Sequence, residues 1–310
     1  MNRCFKILIL CLFIILILVL SGGVYGEPIA RNPLDWLNEL ETEVLGVPTN
    51  GSIFDRLTQF ELILTGRTTD ESLVERLSFL ETLLYSNRPY DICLVYKLQA
   101  LEWVLYHETL TGPLLTRLEK IEAFLYNQRF SGPITKRLER LINQIFPDGA
   151  IKAKWISVPE GLLVRVKTVD ELSSKISKAG DKFRFVVADT VLIDGFVVFP
   201  KGCSGIGILK EVKKPSNLGR DARLLMDFVK IRALDGSLVK ISSGSKSSDL
   251  NRSYQWAVGA SAAGMLAFGP EGILFGLVVK GKERTIPAGT DFYLQISESV
   301  RVYTLQDDRR

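Results

Sequence analysis

Few residues in this chain have side chains that enzymes use for nucleophilic or metal chemistry. The sequence contains a single histidine, His107, in the stretch LYHETL. A Ser/His/Asp triad, a multi-histidine metal site and an HExxH zinc site all depend on histidines in a set arrangement. We interpret His107 as a loop residue and expect no metal site, no cofactor and no histidine-dependent active site.

Carboxylates can hydrolyse polymers without histidine, as the paired acids of glycosidases do. Asp227, Asp235 and Glu271 are the candidate acids in the C-terminal half. Such a pair needs a separation of about 5–9.5 Å, and nothing in the sequence places two of these residues together. A carboxylate-dependent hydrolase acting on cell-wall polymer is therefore kept as the alternative function.

The N-terminal half contains a sequence repeat, which predicts the secondary structure available to position any site. A similar eleven-residue phrase starts at positions 36, 56, 76, 97, 117 and 137, with a step of 20 residues and a single step of 21: WLNELETEVLG, RLTQFELILTG, RLSFLETLLYS, KLQALEWVLYH, RLEKIEAFLYN and RLERLINQIFP. Six copies at a constant period predict a helical array of the kind found in repeat proteins.

Each copy has the pattern of one helix and one loop. In the fifth copy, Pro113 suits the first turn of a helix, and the apolar residues Leu114, Leu118, Ile121 and Leu125 follow at helical spacing. About 14 helical residues and a loop of roughly six send the next helix back antiparallel. Helices this short need the packing of their neighbours to be stable.

A glutamate recurs late in the helices, close to the negative end of the helix dipole, where an anion is unfavourable. A basic residue recurs early in the following helix, and an antiparallel neighbour brings the two regions together. The alternative is that each glutamate is simply solvated. We predict these inter-repeat ion pairs: Glu41–Arg56, Glu61–Arg76, Glu81–Lys97, Glu102–Arg117 and Glu122–Arg137.

The chain divides into three parts on this basis. Residues 1–26 combine a basic start, the apolar run ILILCLFIILILVL and the small residues of SGGVYG, which is typical of a cleavable signal peptide. An uncleaved anchor is the alternative. Residues 27–150 are the helical repeat domain and residues 151–310 a β-rich domain. Cys93 and Cys203 follow the leader and are interpreted as two buried thiols, because a disulfide framework needs more cysteines.

The C-terminal part contains short β-rich runs such as KFRFVVA and DFYLQIS, separated by turn signals. Asp194–Gly195 and Asp235–Gly236 have the sequence of tight hairpin turns. The fold class that follows is α+β, with an N-terminal array of short antiparallel helices and a C-terminal antiparallel β sandwich or barrel carrying a glycine-rich apolar hairpin.

The order of several phrases carries a resemblance. VPEGLLVRVKTVDELSSK, GDKFRFVVADTVLIDGFVVFPKGCSGIG, GRDARLLMDFVKIRALDGSLVKI and TIPAGTDFYLQI follow one another between Trp155 and Tyr303. This part resembles the β-barrel domain of the TrbI-like scaffold family of conjugation and type IV secretion machines. The resemblance implies a barrel within an envelope-spanning ring. A leader and a helical array stand where that family has an inner-membrane anchor and a proline-rich linker, so we infer a shared barrel type in another envelope role.

Residues 256–281 form an apolar segment whose only charges are Glu271 and Lys280 and which is punctuated by glycines. One interpretation is a hairpin inserted in a membrane or shared between subunits, because small residues let backbones approach closely. The other is a pair of segments packed against the barrel, each too short to cross a bilayer as a helix. The glycines that would make the membrane or oligomer contact are Gly259, Gly264, Gly269, Gly272 and Gly276.

The formal charge differs between the two halves. Residues 27–150 carry 12 Lys and Arg against 18 Asp and Glu, and residues 151–310 carry 25 against 17. An acidic half joined to a basic half indicates two surfaces with different partners, although the basic residues are scattered and also suit a solvated surface. We expect an exported, non-enzymatic cell-envelope protein that binds envelope proteins and self-assembles, with no nucleic-acid partner.

Overall fold

The structure, a computed structural model, describes residues 31–88, 91–214, 222–258, 277–281 and 285–307. The fold is α+β: an array of short antiparallel helices precedes an antiparallel β region that contains a closed barrel. The predicted leader, residues 1–26, and the five glycines of the apolar segment lie outside the described residues.

Within residues 31–150, the described part of the N-terminal half apart from 89 and 90, six helices of 12 or 13 residues form the array: α1 (Pro33–Leu45), α2 (Ile53–Thr65), α3 (Leu73–Tyr85), α4 (Leu94–Tyr106), α5 (Leu114–Tyr126) and α6 (Ile134–Ile145). The same helical position, the fifth, carries a fully buried leucine in every copy, namely Leu37, Leu57, Leu77, Leu98, Leu118 and Leu138. These residues belong to a single apolar cluster, so the repeat in the sequence is a repeat of core positions.

Helices that are not neighbours in sequence also pack together. Helix α1 contacts α3 and α5 as well as α2, and α2 contacts α6. Gly46 ends α1 with φ of 95°, and a Cβ on it would lie 2.8 Å from Cγ of Pro113 at the start of α5. Gly66 and Pro133 repeat this relation at 2.6 Å between α2 and α6. The array therefore folds back on itself around one core instead of extending in a line.

Thirteen strands are described after a short 3₁₀ turn at Pro147–Gly149. They are β1 (Lys154–Val158), β2 (Leu163–Thr168), β3 (Leu172–Ser173), β4 (Lys182–Val187), β5 (Val191–Ile193), β6 (Phe196–Phe199), β7 (Ser204–Lys213), β8 (Ala222–Arg232), β9 (Leu238–Ser242), β10 (Leu277–Gly281), β11 (Thr285–Ile286), β12 (Asp291–Ile296) and β13 (Val300–Gln306). A helix, α7 (Ser245–Val258), lies between β9 and β10. The sequence patterns do not predict this helix.

Six strands close into a barrel in the order β8-β7-β4-β2-β12-β9, because β9 also pairs with β8. All of these pairings are antiparallel. Phe183, Phe185 and Phe228 fill the interior, with the rings of Phe183 and Phe228 5.3 Å apart. Gly205 and Gly207 face these rings: a Cβ on either would lie 2.2 Å from a phenyl carbon, so the strand needs glycine there.

A second sheet, in the order β1-β13-β6-β5, continues from the barrel toward the helices. Val197, Tyr303 and Leu305 of this sheet and Leu234 of the β8–β9 turn join the same apolar cluster as the helices. The helical array and the β region thus share buried surface.

Of the glycine-rich apolar segment, the structure describes only the two ends. Residues 256–258 finish α7, and Leu277–Gly281 form β10, which pairs with Ala222–Met226 of β8. In the parts of the chain that the structure describes, no helix combines the length and the apolar character needed to cross a membrane. Both interpretations of residues 259–276 stay predictions.

Candidate functional site

Helix α4 lies between the other helices and the β region. The second residue of α1, α2 and α3 is apolar and exposed: Leu34, Phe54 and Val74 are 44, 57 and 55% exposed. The equivalent residue of α4, Val95, is 1% exposed. The β8–β9 turn covers it, because a Cβ on Gly236 of that turn would lie 3.1 Å from Cγ1 of Val95. Burial against both layers explains why α4 carries apolar residues on more of its faces than an ordinary amphipathic helix.

Polar side chains and one backbone amide of the helical half donate to backbone carbonyls of the β region. Asn87 donates from Nδ2 to the carbonyl of Asp235 at 2.7 Å, and Gln99 donates from Nε2 to that of Ala233 at 3.4 Å. The backbone N–H of Thr109 donates to the carbonyl of Lys201 at 2.8 Å. These bonds satisfy turn carbonyls that are excluded from water, and with Val95 they define the α4 interface.

Asp235 holds the shape of the β8–β9 turn. Its carboxylate accepts hydrogen bonds from the backbone N–H groups of Ser237 and Tyr303, each at 2.9 Å. Burial raises the pKa of this carboxyl, and the hydrogen bonds from Tyr303 and Ser237 act in the opposite direction. Tyr303 in turn stacks on Tyr96 of α4 with ring centroids 6.5 Å apart. The carboxyl therefore serves to connect β13, the turn and α4.

The other candidate acids are in different surroundings. Asp227 lies on β8, where its carboxylate is 2.8 Å from Nζ of Lys210 on β7. Glu271 lies outside the described residues. Among the residues that are described, no group of three or more His, Cys, Asp or Glu could hold a metal ion. The structure thus brings Asp227 and Asp235 into contacts with neighbouring strands and turns.

Both described cysteines belong to the α4 interface and are free thiols. Cys93 is the N-cap of α4, and its Sγ lies 3.5 Å from the carbonyl oxygen of Asp235. Cys203 immediately precedes β7, with its Sγ 3.3 Å from Oε1 of Gln99. Burial raises the pKa of the Cys93 thiol to about 11 and that of Cys203 to about 12. Both sulfurs are accordingly protonated at neutral pH.

The structure brings together four of the five Glu and Arg or Lys residues proposed as inter-repeat pairs. Each arginine uses Nε and one terminal nitrogen to reach both oxygens of a glutamate fifteen residues earlier. The closest contacts are 2.6 Å for Glu41–Arg56, 2.8 Å for Glu61–Arg76, 2.5 Å for Glu102–Arg117 and 2.6 Å for Glu122–Arg137. All eight residues are buried, so these are two-bond, charge-assisted pairs shielded from water.

The expected Glu81–Lys97 pair is not formed among the described ion pairs, and this expectation is corrected. The carboxylate of Glu81 is instead 2.8 Å from Nη1 of Arg31, which precedes α1. Two features account for the change. The step between the third and fourth copies has one extra residue, and α3 packs against α1, which brings Arg31 to the end of α3.

The glutamates also bind the loop that follows their own helix, a role that sequence reasoning missed. The carboxylate of Glu41 accepts from the N–H and the hydroxyl of Thr49, each at 2.7 Å, and Glu122 accepts from the N–H of Phe130 at 3.2 Å. Both partners lie eight residues after the glutamate. Repetition of this spacing was the available signal, since a buried carboxylate needs more hydrogen-bond donors than one arginine supplies.

The ionisation of Glu41 follows from these contacts. Burial alone would raise the pKa of the carboxyl, but hydrogen bonds from Arg56 and Thr49 outweigh it, so the pKa lies below its usual range. The charged form is therefore the one that the fold stabilises. The unfavourable position near the helix C-terminus is offset by these donors.

A cleft of about 1220 Å³ separates the helices from the barrel next to the α4 interface. The helical wall presents Glu39, Glu43 and Glu81. Arg31 pairs with Glu39 and Glu81, and Arg232 reaches Glu43 at 3.4 Å. The helical carboxylates of this cleft are thus each within reach of an arginine.

The barrel wall of the same cleft is basic. Lys182 and Arg184 of β4 and Lys230 of β8 line it. Arg184 is held by Asp170 at 2.6 Å, whereas Lys182 and Lys230 form no ion pair with any other described residue. The opposite charges of the two halves of the chain therefore meet across this cleft, with lysines in excess on the barrel side.

No protein-family model and no curated protein matches the sequence. Among solved structures, the chain is similar to ComB10 of the Com type IV secretion system of Helicobacter pylori, with 13% sequence identity, coverage of 46% of this chain and 88% of that chain, and a TM-score of 0.25. A TM-score this low supports no conclusion about function.

Proposed function

We propose that the protein is an exported, non-enzymatic scaffold of the cell envelope. In this proposal the helical array binds a protein partner, and the β region serves assembly or association with the envelope. The observation that carries the proposal is the α4 interface, in which a helix of the array is buried against turns of the β region.

The α4 interface suits a scaffold because it fixes the array relative to the barrel. Apolar contact at Val95 and the hydrogen bonds of Asn87 and Gln99 act together, and interdomain surfaces that are apolar and hydrogen-bonded limit relative motion. A partner bound to the helices is then held at a defined position with respect to the barrel. The sequence resemblance to secretion scaffolds points to the same class of protein.

The surroundings of the acids disfavour the alternative, a carboxylate-dependent hydrolase. Asp235 accepts backbone hydrogen bonds inside a buried turn, and Asp227 faces Lys210 on the neighbouring strand. A hydrolytic pair requires two carboxyl groups on either side of an open site. The Asp227→Asn variant tests the alternative directly: loss of a wall-degrading activity present in the purified parent chain would support the enzyme.

The proposal is tested by fractionating the native host with a photo-crosslinking residue placed at Phe54 or at Phe79, which are both exposed on the array. We expect a mature chain that begins near Glu27, found in the envelope fraction, with crosslinks from both positions to one envelope protein. A crosslinker at Lys178, on an exposed barrel loop, is the matched control. A chain that keeps Met1 and stays in the cytoplasm would overturn the proposal.

A separate experiment tests whether residues 259–276 insert in a membrane. The intact chain and a chain lacking residues 259–276, which keeps α7 and strand β10, are compared after carbonate washing of the membranes. If the intact chain resists the wash and the deletion does not, residues 259–276 insert. If both are extracted, association with the envelope is through protein contacts.

A further inference from the structure

We infer that the cleft between the helices and the barrel binds an acidic, extended segment of a partner protein. This inference rests on the proposed function and deepens it, since it names the site of the partner and its chemistry. Three observations carry it: the size of the cleft, the row of residues on the barrel wall, and the paired carboxylates on the helical wall.

The size of the cleft is that of a polymer site. Its volume is about 1220 Å³, above the roughly 300–1,000 Å³ usual for small-molecule pockets. It is bounded by α1, α3 and the α4–α5 loop on one side and by β4, β7 and β8 on the other. A cleft of this volume between two layers has room for a segment of several residues.

The barrel wall carries one row of residues across three strands. Arg184 of β4 pairs in register with Ile206 of β7, and Ile206 pairs with Lys230 of β8. Neighbouring strands are about 4.8 Å apart, so two cations lie on either side of an isoleucine that is 39% exposed. Lys182 lies two residues before Arg184, on the same face of β4. In an extended segment whose acidic and apolar side chains alternate, the acidic side chains all lie on one face, and that face can meet the cations of this row.

Two of the three cations on the barrel wall have no ion-pair partner within the described part of the chain. Lys182 and Lys230 have no carboxylate partner there, whereas Arg184 has Asp170. Lysines beside low-dielectric walls attract anions more strongly than lysines on open surface. The exposed apolar side chains of Val169 and Leu238 also line the cleft, so the ligand has apolar groups as well as negative charge.

The helical wall explains why the ligand is a peptide and not a dense polyanion. Glu39, Glu43 and Glu81 line that wall and share only two arginines. The remaining negative charge repels a polymer that has a phosphate at every unit. A peptide with spaced carboxylates can direct them toward the barrel wall and present apolar or neutral groups to the helices. Electrostatic complementarity of this kind sets specificity more than affinity.

The test uses the purified full chain and a fluorescent twelve-residue peptide of alternating glutamate and leucine, measured by anisotropy. We expect saturable binding that weakens as salt is raised, because exposed charges are screened over about 8 Å at physiological ionic strength. The double variant Lys182→Glu/Lys230→Glu should weaken binding on the order of tenfold. The control Lys175→Glu/Lys178→Glu changes the net charge equally on an exposed loop outside the cleft and should bind like the parent chain.

Several outcomes would overturn the inference. Equal binding by both double variants would show that only net charge matters. Equal binding of a peptide with lysine in place of glutamate would show that the barrel wall does not select its ligand by charge. Displacement of the peptide by polyphosphate at equal concentration would indicate an anionic polymer as the ligand. Unchanged thermal unfolding of the variants shows that a loss of binding is not a loss of fold.

The inference about the cleft and the proposed function can each be rejected while the other stands. If the peptide does not bind but Phe54 and Phe79 still crosslink to an envelope protein, the scaffold proposal stands and the cleft inference is wrong. If the peptide binds in the cleft but the chain is not exported, the site is real and the envelope role is wrong.

Discussion

Gly202 lies against Thr109 so closely that a Cβ on the glycine would be 2.1 Å from the carbonyl oxygen of Thr109. Gly202 precedes β7, and Thr109 belongs to the loop after α4. The same two segments are joined by the hydrogen bond from the N–H of Thr109 to the carbonyl of Lys201 at 2.8 Å. This contact between backbones requires a residue without a side chain.

The first prediction concerns this contact. Gly202→Ala should reduce the free energy of unfolding by about 2–3 kcal/mol, because the residue has φ of 88° and the new methyl meets a carbonyl. Gly195→Ala is the control: its φ is 80°, but nothing lies within 4 Å of its Cβ, so about 1 kcal/mol is expected. Chemical denaturation measures both, and equal losses would contradict the account.

The second prediction concerns the buried pair Glu122–Arg137. Arg137→Met alone leaves a buried carboxylate unpaired and should destabilise the fold by about 3–5 kcal/mol. The double change Glu122→Leu/Arg137→Met should cost clearly less, because both charges are removed. Additive losses in this double-mutant cycle would show that the two side chains do not interact.

A more exposed pair, between α5 and the loop that follows it, provides the comparison for this cycle. Glu119 and Arg129 approach to 3.4 Å, with the arginine side chain 73% exposed. Arg129→Ala should change stability by about 0–1 kcal/mol. A loss as large as that of Arg137→Met would mean that burial does not set the strength of these pairs.

The third prediction concerns acid stability. The pKa of Glu41 is lower in the folded chain than its usual value, so its contribution is fully present above the unfolded pKa and is lost as the pH falls through the folded pKa. Thr49→Val removes a hydroxyl that donates to Glu41 at 2.7 Å. Without this donor the folded pKa lies closer to the unfolded pKa, so the stability lost as the pH falls should be smaller in the variant and complete at a higher pH. Thermal unfolding from pH 7 downward measures both curves. Parallel curves for parent and variant would refute this.

The fourth prediction concerns the thiols. Burial raises the pKa of Cys93 to about 11 and that of Cys203 to about 12, and a thiol reacts as its thiolate. In a chain carrying Cys4→Ser and Cys11→Ser, the folded protein should not react with a disulfide reagent at pH 8, and two thiols should react after denaturation. Rapid labelling of the folded chain would show that the α4 interface opens.

Local periodicity allowed the helical half to be predicted. Apolar residues at helical spacing and a constant step of 20 residues define six helices, because a repeated unit must use the same positions for its core. The fifteen-residue spacing of Glu and Arg also follows from the period. The structure has two-bond contacts at that spacing for Glu41–Arg56 and three other pairs. The α+β class with an antiparallel barrel followed from the turn signals of the second half.

The exceptions lie where non-local packing competes with the period. Glu81 pairs with Arg31 and not with Lys97, because α1 and α3 pack together although they are not sequence neighbours. Gly46 and Gly66 meet prolines that are 67 residues further along the chain. A period describes the relation of one unit to the next, and it contains no information about how the array folds back on itself.

The sequence by itself determined the six helices of the array, the antiparallel β character of the second half, the charge asymmetry of the two halves and the residues available for pairing, since these depend on local pattern and composition. Only the tertiary structure decided that α4 is covered by the β8–β9 turn while Phe54 of α2 stays exposed, and that Lys182 and Lys230 face the acidic helical wall. The physical reason is that burial and charge complementarity between distant segments depend on which surfaces meet, and local patterns do not specify that.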